Sequence, residues 1–101
     1  MNDNPVAYVT KSILTKIRSL ETDTFHFNQF LTDDYIAGLD PTVKLPVVEA
    51  HAHKQESGPY ANVMRCIVIL PVHGKRTREL AELGEGLIDM PLEVYLALPT
   101  A

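Results

Sequence analysis

Apolar residues near the start of the chain recur at intervals of three and four, which is the spacing of a helix with one buried face. Asn4 is a suitable N-cap and Pro5 suits the first helical position. The apolar series then runs through Val6, Val9, Ile13, Ile17 and Leu20. This pattern predicts a helix that begins at Pro5 and packs its apolar face against a sheet.

The middle of the chain is dominated by segments typical of strands. Thr24–Phe27 alternates and predicts a short strand, whereas Leu45–His53 predicts a longer one with Val48, Ala50 and Ala52 on its inner face. A turn-rich segment, Gln55–Pro59, separates it from a second strand within Ala61–Val72. The short separation predicts an antiparallel hairpin. The second strand is apolar on both faces between Ile67 and Leu70, which is typical of the central strand of a sheet.

Three further segments complete the pattern. Thr32–Gly38 has a capping residue, an acidic first turn and a terminal glycine, and predicts a short helical turn. A helix is predicted after Gly74, with a buried stripe of Leu80, Leu83 and Leu87. Alternating apolar residues then predict a last strand over Leu92–Leu98. The predicted fold is therefore a single α+β domain, residues 1–101, with helices on one face of a mostly antiparallel sheet in the order α-β-β-β-α-β.

Composition and charge narrow the function classes. The chain has 101 residues, 9 Lys and Arg against 13 Asp and Glu, and a formal net charge of -4. An apolar share of 46% excludes a disordered chain, and one cysteine excludes a disulfide scaffold. The acidic balance argues against a general or specific nucleic-acid binder. With neither a signal peptide nor a membrane span in the sequence, we expect a soluble intracellular protein without membrane partners.

The segment Glu49-Ala50-His51-Ala52-His53 is the one that most suggests catalysis or metal binding. Histidines at positions i and i+2 of a strand point the same way, and Val-Val-Glu-Ala-His-Ala-His resembles the first-strand signature of amidohydrolase-type barrels. That fold needs about 200 residues or more, and the chain is too short for it. A separate zinc site would need a third ligand, from His26, His73 or Glu49. We therefore expect His51 and His53 to lie on a solvated face, with no metal ligated.

The remaining candidate chemistry is sparse. Cys66 lies in an apolar strand, where a thiol behaves as a small buried hydrophobe. Gly74-Lys75-Arg76-Thr77 lacks the earlier glycine of a phosphate loop, since Ile69 occupies that position. The basic cluster Lys75, Arg76 and Arg78 is accounted for by i,i+4 pairing with glutamates, or by contact with an acidic partner. We predict no catalytic residue, no cofactor and no enzymatic activity.

The predicted last strand gives the strongest indication of an interface. It is strongly β-forming, it is apolar on one face, and only three residues follow Leu98. Such a strand needs an inner position or a neighbouring subunit, and a projecting hairpin is a common contact between small subunits. The predicted interface residues are Leu92, Val94, Tyr95, Leu96, Lys75, Arg76 and Arg78.

The order of these elements also resembles a known family. The elements that carry the likeness are a helix containing Ser12-Ile13-Leu14-Thr15-Lys16-Ile17, a strand beginning Leu45-Pro46-Val47-Val48, the strand Met64–Leu70 and the helix around Leu80. Their order is similar to the order in phage tail-terminator proteins and related head–tail connection subunits. The resemblance implies a virion protein, assembled in the host cytoplasm. It implies a ring, a hexamer, that stops tail-tube growth and contacts tail-tube and neck or connector proteins.

Two alternatives remain open. The first is a small intracellular metal-binding protein or enzyme that uses His51 and His53. The second is an adaptor that binds one peptide or protein partner at a sheet edge and is monomeric alone.

Overall fold

The computed structural model describes residues 5–22, 26–54, 62–71 and 76–100. Within them the elements follow in the order β1 (Ala7–Val9), α1 (Lys11–Ser19), α2 (Asp33–Ala37), β2 (Leu45–Lys54), β3 (Asn62–Val68), α3 (Thr77–Leu83), β4 (Leu87–Pro91) and α4 (Leu92–Leu96). The strands form one four-stranded sheet in the order β1-β2-β3-β4, with every neighbouring pair antiparallel. The α+β class and the antiparallel sheet are confirmed.

The start of the chain differs from the prediction. Ala7 and Val9 are buried and Val6 is exposed, so this segment alternates as a strand instead of forming the first turns of a helix. Ala7–Val9 pairs with Leu45–Val47 of β2. The helix begins after Thr10, whose hydroxyl accepts from the backbone N–H of Ile13 at 3.4 Å. The Asn4–Pro5 helix start was therefore wrong, and the predicted helical face is real only from Ile13 onward.

The end of the chain differs for a similar reason. Leu92–Leu96 is a helix, and the last strand lies earlier, at Leu87–Pro91. Val94 and Leu98 are buried while Leu96 is 72% exposed. Residues spaced by four share a face in a helix as well as in a strand, so the alternating leucines fit both structures. Packing of Val94 and Leu98 against the core favours the helix.

Other local predictions have mixed outcomes. The turn at Thr32–Gly38 is confirmed as α2, with Thr32 as its N-cap and Gly38 as its C-cap. In α3, Leu80 is buried but Leu83 is exposed, and Leu87 belongs to β4, because Gly84 ends the helix in a left-handed conformation. Of the predicted strand at 24–27, His26 and Phe27 are not in a strand, and the rest lies outside the described residues.

The hairpin of β2 and β3 is confirmed, although its turn at 55–59 lies outside the described residues. The register shifts between Val47 and Glu49, which leaves Val48 as one extra residue. Val47 is therefore on the core face opposite Val68, while after the shift Ala50 takes that face opposite Cys66. The alternation that grouped Val47 with Glu49 was wrong, because the bulge changes the alternation at this point and Val47 is fully buried. Ala52, which was expected to face inward, is exposed.

The core lies between one face of the sheet and the helices. β3 is a central strand, flanked by β2 and β4, as predicted. Completely buried side chains come from all four strands and from the first helix, and they include Val9, Val47, Cys66, Val68, Ile88, Met90, Leu14 and Ile17. No helix in the described part of the chain is long and apolar enough to span a bilayer.

Candidate functional site

The residues predicted as an interface do not form one surface. In α4, Val94 is buried and Tyr95 packs against the core, so these two side chains serve the fold. Leu92 is half-buried, whereas Leu96 is largely exposed. The prediction that a last strand presents these side chains to a neighbouring subunit was wrong, because Leu92–Leu96 is a helix.

The predicted basic cluster lies at the start of α3, and its described members do not form a surface with α4. Arg76 is exposed, and its guanidinium lies 3.3 Å from the carboxylate of Glu79, three residues later. The same carboxylate accepts from the backbone N–H of Arg76, which stabilises the start of α3. Arg78 is exposed, and Lys75 lies outside the described residues. The i,i+4 pairs expected here join Lys75 to Glu79 and Arg78 to Glu82, and the first lies partly outside the described residues. Glu79 instead pairs with Arg76, three residues before it.

The polar face of the hairpin carries the histidines. His51 and its strand neighbour Glu49 are both exposed, and the Nε2 atom of His51 lies 2.7 Å from a Glu49 carboxylate oxygen. The Nε2 atom of His53 lies 3.5 Å from the Nη2 atom of Arg65 on β3. The histidines therefore face away from Ala50, as predicted. His26 is exposed, and His73 lies outside the described residues.

The histidines of the hairpin do not belong to a metal site among the described residues. No group of three or more His, Cys, Asp or Glu side chains there is arranged to hold a metal ion. His51 is already paired with Glu49, and His53 faces the Arg65 cation, which would oppose a second cation.

Next to the histidines lies an ion pair that the sequence did not reveal. Arg65 donates to both carboxylate oxygens of Asp89, at 2.9 and 3.0 Å, and this contact raises the pKa of Arg65. The two residues are direct partners in the register of β3 and β4. Asp89 is 7% exposed, so its charge needs this partner. The sequence did not indicate this pair, because the strand that carries Asp89 was not predicted at these residues.

The backbone of Asp89 lies on the outer edge of β4, where it is hydrogen-bonded to a side chain instead of to another strand. Its backbone N–H donates to the side-chain oxygen of Asn28 at 3.0 Å, and its carbonyl accepts from the Asn28 side-chain N–H at 3.0 Å. Asn28 is buried, and its amide group takes the place of a neighbouring strand residue. The outer edge of β1 has a similar contact, because the N–H of Tyr8 donates to the carbonyl of Pro99 at 2.9 Å.

The outer side of β2 is different. β1 pairs with β2 only as far as Val47, whereas β2 continues to Lys54. Among residues 5–22, 26–54, 62–71 and 76–100, no strand or other backbone hydrogen bond reaches the outer side of Glu49–His53. Alternate N–H and C=O groups of an edge strand point away from its only partner. We call this segment, Glu49–His53, the open edge.

Cys66 is the described residue whose ionisation is most strongly altered. It is fully buried on the core face, and burial raises the pKa of its thiol to about 12, with a smaller effect from the charge of Asp89. A thiol in this environment stays protonated and is a poor nucleophile. This agrees with the expectation that Cys66 acts as a small hydrophobe.

The open edge is the surface with the clearest capacity for binding, because its backbone groups can pair with another extended segment. Comparison with known proteins adds no further indication: no protein-family model, curated protein or solved structure matches this chain.

Proposed function

We propose that this chain is a non-enzymatic structural subunit of a phage-like tail or neck. Copies of the subunit assemble into a ring, a hexamer, which ends the tail tube or joins it to the head connector. The protein then functions in the virion, through contacts with itself, with tail-tube proteins and with neck proteins. The resemblance in element order supports this role, and the α+β fold with an antiparallel sheet is compatible with it.

The open edge is the observation that carries the proposal. The sheet closes β1 and β4 with contacts from Pro99 and Asn28, but within the described residues it leaves five residues of its longest strand without an outer partner. Unpaired strand edges promote association with other chains, and self-sufficient domains usually cover them. A subunit whose sheet is completed by another chain accounts for this asymmetry.

The proposal is tested by measuring the assembly state of the purified full chain. Native mass spectrometry and negative-stain electron microscopy at tens of micromolar should show a homo-oligomer with the shape of a ring. A chain that stays monomeric at these concentrations would contradict the proposal. If it is monomeric alone but binds one extended peptide tightly, the adaptor function is correct instead.

A charge variant tests whether the open edge is the contact. Ala52 lies within the open edge and is exposed. Ala52→Lys should weaken assembly at least tenfold, because lysine on an edge strand disfavours pairing with another strand. Thr15→Lys is the matched control, since it adds the same charge at an exposed position of α1. Equal weakening by both variants would show that net charge, and not the open edge, controls assembly.

A further inference from the structure

We propose that the open edge pairs with the open edge of a second copy, antiparallel and centred on His51. This inference rests on the proposed function, in which another copy covers the edge, and it adds which segment of that copy does so. The two copies are then related by a twofold axis perpendicular to the sheet. Such an axis keeps the core faces of both sheets on the same side.

The twofold axis restricts the possible registers. Since like faces must meet, a residue can lie opposite only a residue of its own face, and registers therefore differ in steps of two residues. Because His51 is the middle residue of the open edge, centring the pair on His51 places all five residues of one open edge opposite the five residues of the other. In this register Glu49 lies opposite the second copy's His53, Ala50 opposite Ala52, and His51 opposite His51.

Charge favours this register. His53 faces the Arg65 guanidinium at 3.5 Å, so positive charge lies close to the position that the second copy's Glu49 would occupy. Glu49 is exposed on the polar face, where its carboxylate contacts His51 of its own strand at 2.7 Å, so the contact with the second copy's His53 would share or replace that one. The twofold axis repeats the contact, which gives two equivalent Glu49–His53 pairs. Opposite charges placed directly across neighbouring strands stabilise the pairing of those strands.

Small side chains on the other face permit the two strands to approach. Ala50 and Ala52 would meet there, and Ala50 is already packed against the core of its own copy. The contact would therefore extend the apolar layer from one copy into the next. A register centred on Ala52 instead would place His51 opposite His53 and would not place Glu49 opposite either histidine.

A twofold contact is closed on itself and makes pairs. A ring that contains it has an even number of copies, and a hexamer would consist of three pairs joined through a second surface. Dissociation of the ring on dilution should therefore yield dimers before monomers.

Disulfide trapping tests the register. Neighbouring strands place directly opposed Cα atoms about 4.5–5.5 Å apart, which suits a disulfide. His51→Cys should form a covalent dimer under mild oxidation. Glu49→Cys alone should not, since its two copies would lie about 13 Å apart, but a mixture of Glu49→Cys and His53→Cys should cross-link. Cys66 does not interfere, because it is buried with a pKa of about 12.

The controls separate this inference from the proposed function. Ser12→Cys, exposed on α1, measures random collision, and circular dichroism checks that each variant folds. His51→Cys should exceed Ser12→Cys in cross-linked yield at least tenfold. If the chain forms oligomers but His51→Cys cross-links no better than Ser12→Cys or Glu49→Cys, the register is wrong while the proposed function stands. A monomeric chain overturns both.

Charge reversal provides a second test without cysteine. Glu49→Lys should weaken dimerisation about tenfold, because it replaces the carboxylate that faces His53 and the neighbouring Arg65 guanidinium with a cation, once in each copy. Adding His53→Glu should restore the affinity, since the lysine introduced at position 49 of each copy would then face a glutamate at position 53 of the other. Failure of the double variant to recover would overturn the pairing of positions 49 and 53.

Discussion

The outer edge of β4 and the open edge of β2 lie in one sheet and differ in whether their outward-pointing backbone groups have hydrogen-bond partners among the described residues. At β4, the buried side chain of Asn28 donates to and accepts from the backbone of Asp89. At β2, the neighbouring strand stops at Ala7 and nothing in the described residues replaces it. One amide side chain is thus sufficient to close an edge, and among the described residues no such group lies beside Glu49–His53.

Amide hydrogen exchange should show the largest contrast between the two regions. In dilute, monomeric protein, the β3 amides between its two partner strands should exchange at least about 1000-fold more slowly than the outward-pointing amides of Glu49–His53. NMR-detected exchange measures both regions in one sample. At assembly concentrations the open edge should become protected. Uniform protection of all its amides in the monomer would mean that the edge is not open.

The thiol of Cys66 provides a second probe of the closed, central part of the sheet. A raised folded-state pKa stabilises the protein below the thiol's ordinary pKa of 9.0, and this contribution is lost as the pH rises toward about 12. At pH 9 the folded protein should contain about 500-fold less thiolate than a free thiol would, because the two pKa values differ by about three and half of the free thiol is ionised at this pH. Alkylation with iodoacetamide, compared in native buffer and in urea, measures this difference. Rapid native labelling would contradict it.

Removing the group that closes β4 should have the next largest effect. Asn28→Ala leaves the buried N–H and carbonyl of Asp89 without partners, and each unsatisfied group costs about 1–3 kcal/mol. We expect the free energy of unfolding, measured with urea, to fall by about 2–3 kcal/mol. Gln29→Ala, at the exposed neighbouring position, should change it by less than about 0.5 kcal/mol. A similar loss in both variants would mean that Asn28 does not close the edge.

The smallest effect concerns the ion pair beside that edge. Asp89→Asn keeps the size of the side chain but removes the charge that holds Arg65. Because the Arg65 side chain is 41% exposed and solvent screens the pair, we expect a loss of only about 1 kcal/mol, decreasing with added salt. Glu79→Gln, which removes the partner of the more exposed Arg76, should cost less. A loss that does not depend on salt would indicate a packing effect.

The sequence predicted best those elements whose signals are local. Thr32 and Gly38 mark the ends of α2 because a capping hydroxyl and a terminal glycine act within one turn. The hairpin of β2 and β3 was predicted from long β-forming segments. The exposed positions of His51 and Glu49 followed from the alternation in β2, and both side chains lie on the polar face.

Short segments were predicted less well. Ala7–Val9 and Leu92–Leu96 fit both the period of a strand and the period of a helix, so their structure depends on distant partners. β1 exists because it pairs with Leu45–Val47, about forty residues later in the chain. The bulge at Val48 also changed the inner face of β2, and a single extra residue in a strand has no signature in its own sequence.

By itself the sequence determined the α+β class, the central position of β3 and the burial of Cys66, since these follow from hydrophobic periodicity and from local turn signals. Only the tertiary structure decided that α4 is a helix, that Arg65 meets Asp89 and that Asn28 closes one edge. It also shows that, in the part of the chain it describes, part of β2 has no outer partner. Those features depend on register and on the relative lengths of paired strands. Both are set when residues far apart in sequence compete for the same backbone hydrogen bonds.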